Sequence, residues 1–179
     1  QSVPNALFAA TVAHRLGVPG FEIDEAFSSL ALTGRRAQVR HATCGARVID
    51  DSYNASPESM AAGLNLLESL PCSGTRIAIL GEMGEMGEEA PRLHALTGAY
   101  AAAKRPGLLI CVGGELAEEM ATAARLMGLD EGDVHVVPSC DVLIKRFAGV
   151  IGERDLVLVK GSRFVGLDRF VEEVCADAR

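Results

Sequence analysis

The densest run of reactive side chains in this sequence is Asp50-Asp51-Ser52-Tyr53-Asn54-Ala55-Ser56-Pro57. Two carboxylates, a phenol and an amide fall within one strand-to-helix connection, enough to bind a polar ligand. Pro57 suits the first turn of a following helix and Ser56 its N-cap, which explains Ser56-Pro57 and part of Asn54 structurally. Asp50-Asp51-Ser52-Tyr53 has no such explanation. Turns rich in Asp, Asn and Ser also arise through capping alone, so ligand binding and local capping both stand as readings.

Two other stretches carry chemistry. Lys160-Gly161-Ser162-Arg163 places two cations, a glycine and a hydroxyl at the start of a helix, an arrangement suited to a phosphate or carboxylate. Its plain alternative is a glycine turn with Ser162 as N-cap and two solvated charges. Gly81-Glu82-Met83-Gly84-Glu85-Met86-Gly87-Glu88-Glu89 has a glycine at every third position. That is not the G-x-G-x-x-G fingerprint, and its acidity would repel a pyrophosphate. It reads as a mobile loop, either one that meets a cationic substrate group or a merely flexible connector. Arg35 and Arg36 close an N-terminal segment at an apparent domain joint, where an arginine can reach a triphosphate held by another domain or simply be solvated. No G-x-x-x-x-G-K-[ST] sequence occurs, so no P-loop is present. His14, His41, His94 and His135 are dispersed, and the five cysteines include no C-x-x-C pair, so no metal site is expected. His94 and His135 are expected to pack.

These turns need a scaffold, and the pattern predicts one. Short β-branched apolar runs at 47–50, 76–80, 108–112, 134–137 and 156–159 read as doubly covered strands. Each is followed by a helical segment, at about 57–70, 90–104, 115–127, 140–148 and 164–176. The alternation predicts an α/β, Rossmann-like, mostly parallel sheet with helices on both faces. In such sheets ligands collect beyond the carboxyl ends of the strands, where all three stretches would lie. Before residue 38 the pattern is different. A helix from Asn5 to a stop at Gly17 and a second over 21–32 have no strand of their own. Residues 1–37 therefore read as the tail of a larger domain and residues 38–179 as a separate one.

Composition bounds the possibilities. With 17 Lys+Arg against 24 Asp+Glu the net charge is −7, which argues against nucleic acid as a partner. Hydrophobic residues at 49% and charged residues at 23% exclude disorder. With 4% aromatics and no Trp, the core must be aliphatic. No apolar run is long enough to span a membrane and no signal-peptide pattern opens the sequence, so a cytoplasmic protein with reduced thiols is expected.

The run Val48-Ile49-Asp50-Asp51-Ser52-Tyr53-Asn54-Ala55-Ser56-Pro57-Glu58-Ser59-Met60 closely resembles the start of the C-terminal domain of the Mur ligases. Members usually carry a second Asn where this chain has Ser56. Asn5-Ala6-Leu7, Arg36, Leu80-Gly81-Glu82-Met83, Leu93-His94 and Leu158-Val159-Lys160-Gly161-Ser162-Arg163 extend the resemblance in order along almost the whole chain. The Ser-Tyr-Asn element favours the dipeptide-adding branch, since the Asp-Asn-Pro-Arg signature of the tripeptide-forming branch is absent.

The resemblance implies the end of a central ATPase domain followed by a complete Rossmann-like C-terminal domain. It implies an ATP-dependent ligase of peptidoglycan precursor synthesis, with ATP and Mg2+ bound mainly by the central domain. The substrates would be UDP-N-acetylmuramoyl-tripeptide and D-alanyl-D-alanine, joined through an acyl phosphate, by a monomer. Asn5 would contact adenine, Arg36 the γ-phosphate region as the catalytic cation, and Asp51 the ribose, with Tyr53 and Asn54 shaping that face. Lys160, Ser162, Glu82 and Met83 would line the dipeptide side. The segment by itself would be inactive. The alternatives are a stand-alone Rossmann-like module binding a nucleotide or anion at Lys160–Arg163, and an NAD oxidoreductase, which the missing glycine fingerprint disfavours.

Overall fold

The computed structural model describes residues 2–29 and 37–175, and the chain divides into two compact units, Gln1–Gly34 and Arg35–Arg179. The first unit holds helices α1 (Ser2–Arg15) and α2 (Gly20–Ser28). Helix α1 stops as the glycine predicts. Gly17 takes φ 87°, the Val18 N–H returns to the Ala13 carbonyl at 3.0 Å and the Gly17 N–H to that of His14 at 3.0 Å, so two terminal carbonyls are satisfied. Helix α2 ends before the expected 32, and positions 30–36 lie outside the described residues. Leu7, Phe8, Leu16 and Phe21 of this unit are 63–79% exposed.

The second unit is built on a six-stranded sheet: β1 (Gln38–His41), β2 (Arg47–Asp51), β3 (Arg76–Gly81), β4 (Leu108–Val112), β5 (Val134–Val137) and β6 (Leu156–Lys160). Their spatial order is β1-β2-β6-β3-β4-β5, with β1 antiparallel to β2 and the other pairs parallel. Helices α3 (Pro57–Ser69), α4 (Ala90–Ala103), α5 (Glu115–Leu126), α6 (Cys140–Phe147) and α7 (Asp168–Val174) cover it. Crossover handedness explains which face each takes. The chain steps in one direction from β2 through β3 and β4 to β5, so α3, α4 and α5 share a face. It then reverses to insert β6, which sends α6 to the other face, where α7 joins it. Strand alternation feeds both cores: Ile49, Ala78, Leu80, Leu109 and Leu158 face α3–α5, while Val48, Ile79, Ile110, Val157 and Val159 face α6–α7.

The five predicted strands and the alternation of strand and helix agree with the structure. Strand β1 was not expected. It is an edge strand whose Val39 is exposed, so it lacks the apolar signature of its neighbours. The last predicted helix is interrupted: a 3-10 turn at Arg163–Val165 ends at Gly166, whose φ of 71° stops it before α7 begins. Among the described residues no helix is long and apolar enough to cross a membrane.

Candidate functional site

Strand β6 lies between β2 and β3, and the helices that follow it and them leave toward opposite faces. This is a topological switch point, the place beyond the strand ends where ligands bind in sheets of this kind. The three turns singled out from the sequence follow β2, β3 and β6, so the strand order brings them side by side.

The adjacent carboxylates Asp50 and Asp51 point to opposite faces of β2 and do different work. Asp50 is buried, and its Oδ1 accepts from the Ser52 hydroxyl at 2.6 Å and the Ser52 N–H at 3.2 Å, closing the turn on itself. Asp51 faces β6, where Lys160 is its register partner. The Lys160 ammonium donates to Asp51 Oδ2 at 2.6 Å and to the Asn54 carbonyl at 2.9 Å, while Asp51 Oδ1 accepts from the Ala37 N–H at 3.1 Å. Lys160 is 1% exposed, among the largest fully buried side chains of the protein. Its stem passes over Gly63 of α3, where an added Cβ would lie 3.2 Å from Lys160 Cδ and 3.4 Å from both Leu158 methyls. The following helix is capped as the sequence predicts. Ser56 Oγ accepts from the Ser59 N–H at 3.3 Å, Ser59 Oγ accepts from the Ser56 N–H at 2.9 Å, and Pro57 opens the first turn.

The β3 and β6 turns interlock through two glycines. A Cβ on Gly161 would lie 3.0 Å from Gly81 Cα and 2.9 Å from a Leu167 methyl, so both positions need the bare backbone. That approach lets the Ser162 N–H donate to the Glu82 carbonyl at 3.1 Å and the Ser162 hydroxyl accept from the Gly84 N–H at 2.8 Å. Ser162 is buried and stands at the N-cap position of the 3-10 turn without a side-chain capping bond, and of the two cations in its motif only Arg163 is exposed. Neither sequence reading of this motif described that division of roles.

Hydrogen bonds tie down the first part of the glycine-rich loop, residues 82–84, within the stretch 81–89 that the sequence reads as mobile. The Met83 side chain is buried, and its N–H donates to His94 Nε2 at 2.8 Å. His94 Nδ1 lies 2.6 Å from the Ala90 carbonyl, which can only accept, so the ring carries its proton on Nδ1 and is fully satisfied. Glu82 reaches across to the next strand. Its Oε1 accepts from the Gly114 N–H at 2.7 Å and the Ala117 N–H at 3.3 Å, capping α5, whose own N-cap residue Gly114 has no side chain to do so. Gly113 makes room for it, since a Cβ there would lie 2.4 Å from Glu82 Cδ.

Of the residues selected from the sequence, Asp51, Tyr53, Asn54, Lys160, Ser162, Glu82 and Met83 gather on the three neighbouring turns. Tyr53 and Asn54 are exposed there. Asn5 is exposed on α1 in the other unit, and Arg36 lies outside the described residues. Sequence reasoning missed Gly63 and Ala37, read Gly161 only as a turn glycine, and gave His94 a packing role. Gly63 lies inside α3, against the Lys160 stem, and had no local signal to mark it. Among the described residues no group of three or more His, Cys, Asp or Glu is placed to hold a metal ion.

An α/β unit whose Asp-Ser-Tyr-Asn and Lys-Gly-Ser-Arg turns meet at a switch point is matched by a family model, that of the Mur ligase, glutamate ligase domain, over residues 35–163. The chain belongs to the Mur ligase family. Among its relatives, the UDP-N-acetylmuramoyl-tripeptide--D-alanyl-D-alanine ligase of Mycobacterium tuberculosis is 34% identical, with 99% of this chain and 38% of the relative covered. The ligase of the same name from Escherichia coli is 31% identical, with 96% and 36% covered. The chain thus spans a little over a third of the length of these relatives. Among solved structures, MurF from Acinetobacter baumannii superposes with a TM-score of 0.79 at 22% identity, over 97% of this chain and 37% of that one. MurF ligase from Thermotoga maritima in complex with ADP gives 0.68 at 25% identity, over 93% and 36%.

Proposed function

We propose that the chain is the C-terminal portion of an ATP-dependent ligase that adds D-alanyl-D-alanine to UDP-N-acetylmuramoyl-tripeptide in peptidoglycan precursor synthesis. The observation that carries this reading is the collinear similarity to ligases of that name along 97% and 99% of the chain. Residues 1–37 form the tail of the central ATP-binding domain and residues 38–179 the dipeptide-binding domain. The exposed Leu7, Phe8, Leu16 and Phe21 support the first assignment, because an isolated helix pair gains nothing by presenting four large apolar side chains to water. The protein works as a cytoplasmic monomer.

In the reaction the acceptor's terminal carboxylate attacks the γ-phosphorus of ATP; a carboxyl O–P bond forms and ADP leaves. The dipeptide amine then attacks the acyl carbon, loses a proton, and the tetrahedral centre expels phosphate as the amide forms. Arg36 stabilises the charge on the transferring phosphoryl oxygens. Asn5 contacts adenine, Asp51 accepts from the ribose hydroxyls, and Tyr53 and Asn54 shape the same face. Ser162 and the Glu82–Met83 backbone line the dipeptide side, because the Met83 side chain is buried and Glu82 Oε1 is occupied at α5. Magnesium is held elsewhere in the full-length ligase and no step here runs through it.

The test uses the intact reading frame with ATP, Mg2+ and both substrates, following phosphate release. Release should require both substrates and fall at least about tenfold in Arg36→Ala. A folded full-length protein that releases no phosphate with both substrates present would overturn the proposal.

A further inference from the structure

The sequence suggests Lys160 as a cation waiting for an anionic substrate group, yet the structure gives it other work. We infer that Lys160 is a positioning residue that acts through Asp51 on the nucleotide side of the switch point and does not touch the dipeptide; the inference rests on the reading of Asp51 as the ribose-facing carboxylate.

Three features carry it. The ammonium is already engaged by Asp51 Oδ2 at 2.6 Å and by the Asn54 carbonyl at 2.9 Å, and the side chain is 1% exposed. The stem is confined, since it passes along Gly63, where an added Cβ would crowd Lys160 Cδ at 3.2 Å. Any anion approaching Lys160 would meet the Asp51 carboxylate beside it, and taking the ammonium would strip a partly buried carboxylate of its counter-charge. The pair as a whole carries no net charge.

What the pair offers a ligand is therefore not a cation but an oriented acceptor. One donor sits on each Asp51 oxygen, Lys160 on Oδ2 and the Ala37 N–H on Oδ1, which leaves lone pairs on both for further donors. Neighbouring hydroxyls, as on a ribose, match that geometry; a carboxylate does not. The second Lys160 bond pins the Asn54 carbonyl, so the same ammonium also fixes the Tyr53–Asn54 turn relative to Asp51.

The experiment compares Lys160→Met, Asp51→Asn, the double variant and Gly63→Ala in the full-length ligase, measuring KM separately for ATP and for D-alanyl-D-alanine together with kcat and the melting temperature. Lys160→Met should raise the KM for ATP about tenfold and leave that for the dipeptide within about twofold. The double variant should be no worse than Asp51→Asn alone, because the lysine works only through that carboxylate. Gly63→Ala, which keeps the charge and crowds the stem, should move the ATP KM in the same direction by less. A merely structural role would lower the melting temperature and the active fraction and leave both KM values alone. A rise confined to the dipeptide KM in Lys160→Met would overturn the inference while leaving the ligase reading in place. If Asp51→Asn changes neither the ATP KM nor kcat, the reading of Asp51 itself fails, and the inference with it. Should Lys160→Met not fold, Gly63→Ala decides between the same two patterns of KM.

Discussion

Asp50 and Asp51 are neighbours with identical side chains, yet one closes a turn and the other pairs with Lys160, because strand alternation turns them to opposite faces of β2. Similar sorting separates the cysteines. Cys44 is exposed, while Cys111 sits in the core of β4, where burial pushes its thiol up from 9.0 to about 12. Cys140 is also raised by burial. The sign of the consequence follows directly. Above pH 9 the unfolded thiol loses a proton that the folded one keeps, so the protonated core's contribution is fully present below pH 9 and is lost progressively between there and about 12. Stability should fall by about 1.4 kcal/mol per pH unit for Cys111 within that window. Denaturant melts at pH 8 and pH 10 should show the drop, and Cys111→Ala should flatten it. An unchanged pH slope in that variant would show that the thiol is not the cause.

At the scale of elements, close approach is bought with glycine. Helices α4 and α5 touch at Gly98, where an added Cβ would lie 1.9 Å from the Met120 carbonyl oxygen. A backbone atom cannot rotate away as a side chain can. Gly98→Ala should cost about 3 kcal/mol by denaturant titration, at the upper end of overpacking penalties. A midpoint within error of the parent would mean that the helices separate freely. These contacts mark where the sequence is and is not readable. Four- and five-residue β-branched runs announce β2 to β6, because strands covered on both faces need apolar side chains on both. The edge strand β1 has no such need and leaves no such trace. The Asp-rich turn, the Lys-Gly-Ser-Arg turn and the glycine-rich loop were each visible as candidates. Their couplings were not: Lys160 and Asp51 lie 109 residues apart, Gly84 and Ser162 78 apart, and only the strand order brings them together. The loop at 81–89 reads as mobile because its residues are acidic and glycine-rich, while its anchors, His94 and Ser162, lie outside it.

For the whole molecule, the two units differ in how they satisfy their apolar surface. The second has its own core on both faces of the sheet, and the helices of the first leave large apolar side chains in water. The strand order gathers at one switch point the turns that the ligase reading needs, while no P-loop sequence is present in the chain. On the proposed ligase reading, chemistry requires the rest of the reading frame. The decisive measurement is the mass of the UDP-linked product formed by the full-length protein from UDP-N-acetylmuramoyl-tripeptide, D-alanyl-D-alanine and ATP. The predicted result is a product heavier by one dipeptide unit, dependent on ATP and reduced in Asp51→Asn. A folded protein that forms no such product, or that joins a single amino acid in place of the dipeptide, would contradict it.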